Sequence, residues 1–113
     1  MHFNYEGRRF QVASNSETGE SGEGTVFCYH QRGNLIWATY EGGSIQFGTL
    51  TGLVRADGTL DFCYQHVNTR DEICTGHCRS TPEVLPDGRL RLHEKWQWTS
   101  GDRSAGESVI EEI

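Results

Sequence analysis

Glu94 breaks an otherwise apolar series: Leu90, Leu92, Glu94, Trp96 and Trp98 alternate with Arg91, His93, Lys95 and Gln97. Period-two alternation places the first set on the inner face of a β-strand and the second in solvent. The same rule sends Leu60, Phe62, Tyr64 and His66 inward, opposite Asp61, Cys63 and Gln65. It also groups Ile73, Thr75, His77 and Arg79 against Cys74, Gly76 and Cys78. With Thr49, the polar residues His66, His77, Arg79 and Glu94 are thus expected on a face that otherwise carries Phe27, Leu35, Trp37, Phe47, Phe62, Ile73, Leu92, Trp96 and Trp98. A buried carboxylate is costly unless paired and hydrogen-bonded, so Glu94 should have a cationic partner, Arg79 or a histidine.

Three kinds of chemistry suit that set. In the first, the face lines a pocket for a small molecule with a polar or anionic group. Arg79 meets the negative charge, Glu94 and His66 fix orientation, Tyr64, Trp37 and Trp96 form aromatic walls, and His77 and Thr49 are further ligand-binding candidates. In the second, Glu94 and His66 act as acid and base; burial raises the carboxyl pKa and a close Arg79 lowers it again. In the third, Glu94 and Arg79 form a buried pair that only fixes strand register. His66, His77 and Glu94 are also metal-ligand types, but no local spacing motif supports them, so no resident metal and no cofactor is expected. Neither a G-x-S-x-G elbow nor a cysteine with a nearby base is present.

The elements that position these residues are read from turn chemistry. Gln31-Arg32-Gly33-Asn34, Glu41-Gly42-Gly43-Ser44, Ala56-Asp57-Gly58, Asn68-Thr69-Arg70-Asp71 and Pro86-Asp87-Gly88 supply the positive-φ or Asx positions that turns need. Between them lie β-like runs at 8–14, 25–30, 35–40, 44–55, 59–66, 73–81, 89–99 and 107–112. Regular spacing predicts a meander, and closure of its first and last strands removes exposed edges. The expected fold is all-β: one small antiparallel up-and-down barrel of eight to ten strands, spanning residues 1–113 as a single domain. Gly48 and Gly52 predict a bend at a barrel corner. The acidic, glycine-rich stretch from Glu17 to Gly24 reads as a mobile loop or lid at a barrel mouth and Ser100 to Gly106 as a second polar loop, with plain solvated connector the favoured reading for both.

Composition narrows the partners. A net charge of −6 and a pI near 5.3 disfavour nucleic acid and anionic membranes, which need a basic patch. With no 18-residue apolar run and no basic-then-apolar leader, the expected location is the cytoplasm. Cys28, Cys63, Cys74 and Cys78 are then free thiols. Cys63 and Cys74 flank a hairpin turn and are the pair expected to sit opposite each other. Val26, Ile36, Tyr40 and Leu50 read as outward apolar residues through which a homodimer could form.

Tyr64-Gln65-His66-Val67-Asn68, Thr75-Gly76-His77-Cys78-Arg79 and Trp96-Gln97-Trp98-Thr99-Ser100-Gly101 resemble segments of a family of short bacterial proteins commonly labelled N-acetylglutamate synthase. The label implies an acetyltransferase. Acetyl-CoA binding of the usual type needs a glycine-rich loop leading into a helix that receives the pyrophosphate. Here the nearest string, Arg103-Ser104-Ala105-Gly106-Glu107-Ser108, runs into an alternating strand-like segment, so acetyl transfer is not expected. In architecture the chain is more similar to calycin and lipocalin-like barrels.

Overall fold

The structure is a computed structural model and describes residues 3–17 and 19–113; Met1, His2 and Thr18 of the acidic stretch lie outside them. Eight strands follow the expected turns: β1 (Arg9–Asn15), β2 (Val26–Arg32), β3 (Leu35–Gly42), β4 (Ile45–Val54), β5 (Leu60–Asn68), β6 (Ile73–Val84), β7 (Leu90–Trp98) and β8 (Ala105–Glu112). Each pairs antiparallel with its sequence neighbour, and β8 returns to β1 to close an up-and-down barrel of the calycin type. The described residues contain no helix, and none therefore long and apolar enough to cross a membrane.

One end of the barrel is solid. Tyr5, Phe10, Tyr29, Leu60, Leu92 and Ile110 are fully buried there, with Phe10 edge-on to Tyr29 at 5.0 Å. The segment before β1 is the plug, since Tyr5 donates its hydroxyl to the Gly58 carbonyl at 3.0 Å in the β4–β5 turn. At the opposite end, the β1–β2, β3–β4, β5–β6 and β7–β8 connections surround a mouth.

Burial fixes the phase of each strand and corrects several expectations. On β5 and β7 the inward residues are those read from alternation. On β3 the phase is reversed: Ile36, Ala38 and Tyr40 are buried, while Trp37 lies outside, stacked on His30 at 5.6 Å. On β4 a register shift between Ile45 and Phe47 leaves Phe47 51% exposed and turns Thr49 to the outer face, with Leu50 inside. On β6 the inward residues are Cys74, Gly76, Cys78 and Ser80, so Ile73, His77 and Arg79 point outward. Ile36, Tyr40 and Leu50 therefore belong to the core and are not a dimer surface.

The reason for the β6 reversal is volume. Inward Gly52, Gly76, Gly48 and Gly106 each face an aromatic residue in register: Phe62, Tyr64, Tyr40 and Trp96 respectively. A Cβ on Gly76 would overlap the Tyr64 ring, and one on Gly106 the Trp96 ring. Gly48 and Gly52 stay in continuous register with β5, so they mark room for a ring and not the expected bend. All four cysteines are free. Cys63 pairs in register with His77 and Cys74 with His66, so Cys63 and Cys74 are not opposite each other.

Gly76→Ala should destabilise by about 1–3 kcal/mol through overpacking. Gly22→Ala, where an added Cβ meets nothing, should stay within about 0.5 kcal/mol of the parent. Urea unfolding of the two variants measures both, and equal effects would contradict the volume argument.

Candidate functional site

Above the plug the barrel holds a cavity open at the mouth and lined mainly by β5, β7 and the segment after β1, with Ile45 and Leu50 of β4 and single residues from the other strands. Its walls are aromatic. Phe27 stacks on Tyr40 at 4.9 Å, Tyr64 and His66 each meet Trp98 at 5.6 Å, and Trp98 lies 5.5 Å from Trp96. About 50 Å³ is open to water, room for only a few water molecules.

Glu94 is the polar group deep in this cavity, four residues along β7 from Trp98 at the mouth, or about 13 Å. Its partners are hydroxyls. Ser80 donates to Oε2 at 3.1 Å and Ser108 to Oε1 at 2.9 Å, from the residues that pair with Glu94 in register on β6 and β8. The expected cation is elsewhere: Arg79 is one residue before Ser80 and so on the outer face. Burial without a positive partner pushes the Glu94 carboxyl up to about 7, the two serine bonds opposing part of that rise. A carboxyl titrating near neutrality can give or take a proton, and when neutral it can donate a hydrogen bond into an apolar site.

At the mouth His66 is 3% exposed and bonded on both ring nitrogens. Nδ1 lies 3.0 Å from the Tyr40 hydroxyl, and Nε2 lies 2.7 Å from Glu20 Oε1. Glu20 comes from the stretch expected to be a solvated connector. That expectation needs correcting, because Asn68 donates to its second oxygen at 3.0 Å and Arg70 at 3.3 Å. Ser44 also donates to the Glu20 carbonyl at 2.5 Å. Burial works to raise the Glu20 carboxyl, but the bonds from His66 and Asn68 outweigh it and hold the group below its ordinary range. Burial, together with Glu20, pushes the neighbouring Cys74 thiol up to about 11.

Of the residues singled out in the sequence, Glu94, His66, Tyr64 and Trp96 line the cavity. Thr49, Trp37, His77 and Arg79 do not. His77 instead lies 2.6 Å from Asp61, which Arg55 also contacts at 2.6 Å on the outer surface. The grouping of His66, His77 and Glu94 is thereby separated by the barrel wall. Ser80, Ser108, Glu20 and Asn15 were not read from the sequence. Asn15 donates to Ser21, while its buried Oδ1 has no partner among the described residues.

A family model described as "Avidin-like protein" matches residues 3–113. No curated protein and no solved structure matches the chain. Neither the matched family nor the fold supports the synthase label: Ala105–Glu112 is β8, and no helix N-terminus stands beside it to receive a pyrophosphate.

The Glu94 environment sets a pH dependence. Because its folded pKa is raised, the folded state holds a proton that the unfolded chain has released. The contribution is fully present below about pH 4.5 and is lost as pH rises through about 7. At about 1.4 kcal/mol per unit the span is roughly 3 kcal/mol. Glu94→Gln does not titrate, so its stability relative to the parent should rise by about that amount between pH 4.5 and pH 8 in denaturant titrations. A difference that stays flat would mean Glu94 ionises without cost.

Proposed function

The chain belongs to the avidin-like family, and from that membership we propose that it binds a small molecule in the barrel cavity, with the inner end of the ligand at Glu94. Avidin-like proteins bind small molecules such as biotin and often form oligomers. The observation that carries the reading is a carboxyl held only by Ser80 and Ser108 at the inner end of an aromatic-walled cavity. No Lys or Arg lines that cavity among the described residues. The anionic ligand expected from Arg79 therefore gives way to one whose buried end is uncharged. An amide or cyclic urea fits, because it can donate to or accept from Glu94 and its serines while its apolar body packs on Trp96 and Trp98.

The ligand needs more room than the roughly 50 Å³ of the cavity as it stands, since small-molecule sites usually span several hundred cubic ångströms. The segment Gly19–Gly24 is the movable wall, and the Glu20 bond to His66 is its latch. Self-association would cover the outward Phe47 and Leu53 of β4, which are 51% and 37% exposed.

Tryptophan fluorescence titrated with uncharged amide and cyclic-urea compounds, biotin among them, tests the reading. One-to-one quenching is expected, weakened about tenfold or more in Ser108→Ala as a hydrogen-bonding group is lost. Glu20→Ala should speed association by releasing the latch. Absence of quenching in both the parent and Glu20→Ala would count against a ligand cavity.

A further inference from the structure

Three separate parts of the chain bring metal-ligand atoms together at the barrel mouth: Glu20 from the segment after β1, His66 near the end of β5 and Cys74 at the start of β6. Their ligating atoms all lie within 4.8 Å of one another. His66 Nε2 is 2.7 Å from Glu20 Oε1, and Cys74 Sγ donates to the same oxygen at 3.5 Å. A tetrahedral ion with bonds of about 2.0–2.3 Å spaces its ligand atoms roughly 3.3–3.7 Å apart. To hold an ion the His66–Glu20 pair must open slightly, and Cys74 Sγ, which lies within 4.8 Å of Nε2, must come no more than about 1 Å nearer to it.

The surroundings have the form of a supporting layer for such a site. Tyr40 holds His66 Nδ1 at 3.0 Å, which aims Nε2 at the cluster. Asn68 and Arg70 hold the Glu20 oxygen that does not face His66, and Glu72 in turn accepts from Asn68 at 2.7 Å. Metal-bound imidazoles and carboxylates are characteristically oriented by outer partners of this kind.

We propose that Glu20, His66 and Cys74 form a binding site for a zinc-class divalent ion that pins the segment Gly19–Gly24 across the barrel mouth. One thiolate, one imidazole and one carboxylate suit zinc or cobalt and do not suit calcium or magnesium, which take oxygen ligands. Three protein ligands leave a fourth position for water or for a molecule in the cavity, which Glu20 and His66 both line. The ion takes the place of the protons now shared between Glu20 and its neighbours, so binding releases protons to solvent. This site does not depend on the ligand-binding reading, and either can fail alone.

Chelator-stripped protein titrated with cobalt chloride and then zinc chloride is the test. One equivalent of cobalt should produce a thiolate-to-cobalt charge-transfer band in the near-ultraviolet, which zinc then bleaches. Cys74→Ala should abolish the band, whereas Cys63→Ala, an exposed thiol on the outer face, should leave it unchanged. Glu20→Gln, a change outside the barrel strands that keeps the assay informative should Cys74→Ala fold poorly, should weaken cobalt binding at least tenfold. Absence of the band at millimolar cobalt, its persistence in Cys74→Ala or unchanged affinity in Glu20→Gln would each overturn the proposal. In that case the three groups form a hydrogen-bonded latch only.

Discussion

The pairing of β1 with β8 is the constraint on which the rest depends, because it turns a curled sheet into an object with an inside. Phe10, Gln11 and Val12 face Glu112, Glu111 and Ile110, and after a shift in register Ser14 and Asn15 face Val109 and Ser108. The seam is fastened beyond both ends, by Ser16 N to the Glu107 carbonyl and by Ile113 N to the Arg9 carbonyl, each at 2.9 Å. Arg8 adds an ion pair to Glu112 at 2.7 Å. Closure gives every strand a partner on both sides, but β1 is shared unequally. It pairs with β8 as far as Asn15 and with β2 only as far as Gln11. Pairing between β1 and β2 therefore stops short of the mouth, while the segment that follows β1 carries Glu20 to His66 and Asn68 on β5.

Once the barrel is closed, its bore limits what can face inward. Large rings on β3, β5 and β7 require small residues on their neighbours, which is why β6 presents cysteine, glycine and serine to the interior and sends Ile73 outside, where it is 75% exposed. Hydropathy points the other way on this strand. A one-residue error of phase moves every side chain to the opposite face, so one such choice displaced both His77 and Arg79. On β3 both faces are apolar, and alternation carries no preference between Ile36 and Trp37. On β4 the register shift near Phe47 resets the phase. The strand count, the turns and the inward faces of β5 and β7 were legible because each has a local signal.

Cross-strand neighbours of Glu94 and His66 were also encoded, in a form that alternation alone does not reveal. Ser80 and Glu94 each stand seven residues from Asp87, Glu94 and Ser108 each seven from Gly101, and His66 and Cys74 each four from Arg70. In an up-and-down barrel a tight turn acts as a mirror, so its centre fixes which residues meet across the hairpin. Reading those centres first yields a hydroxyl-bound carboxyl and a histidine beside a cysteine. Glu20 is a different case. No turn mirrors it onto His66, forty-six residues away, and its position is set by long-range hydrogen bonds to Ser44, His66, Asn68 and Arg70.

The two titratable ends of the cavity then differ in kind. Glu94 has only neutral hydroxyls, so desolvation dominates and the group favours its protonated form. Glu20 has His66, Asn68 and Cys74, so hydrogen bonding wins over desolvation and the carboxylate is retained. The inner end is thereby suited to uncharged polar groups, while the mouth is held by an ionised one. A seated latch also has a thermodynamic consequence for binding. Apparent affinity is the intrinsic affinity scaled by the fraction of molecules that are open, so each 1.4 kcal/mol or so in favour of closure weakens binding about tenfold. On the proposed binding reading, the shielded His66–Glu20 contact, with its 3% exposed imidazole, would be a control on affinity that lies outside the inner contacts, and the proposed ion would strengthen that control.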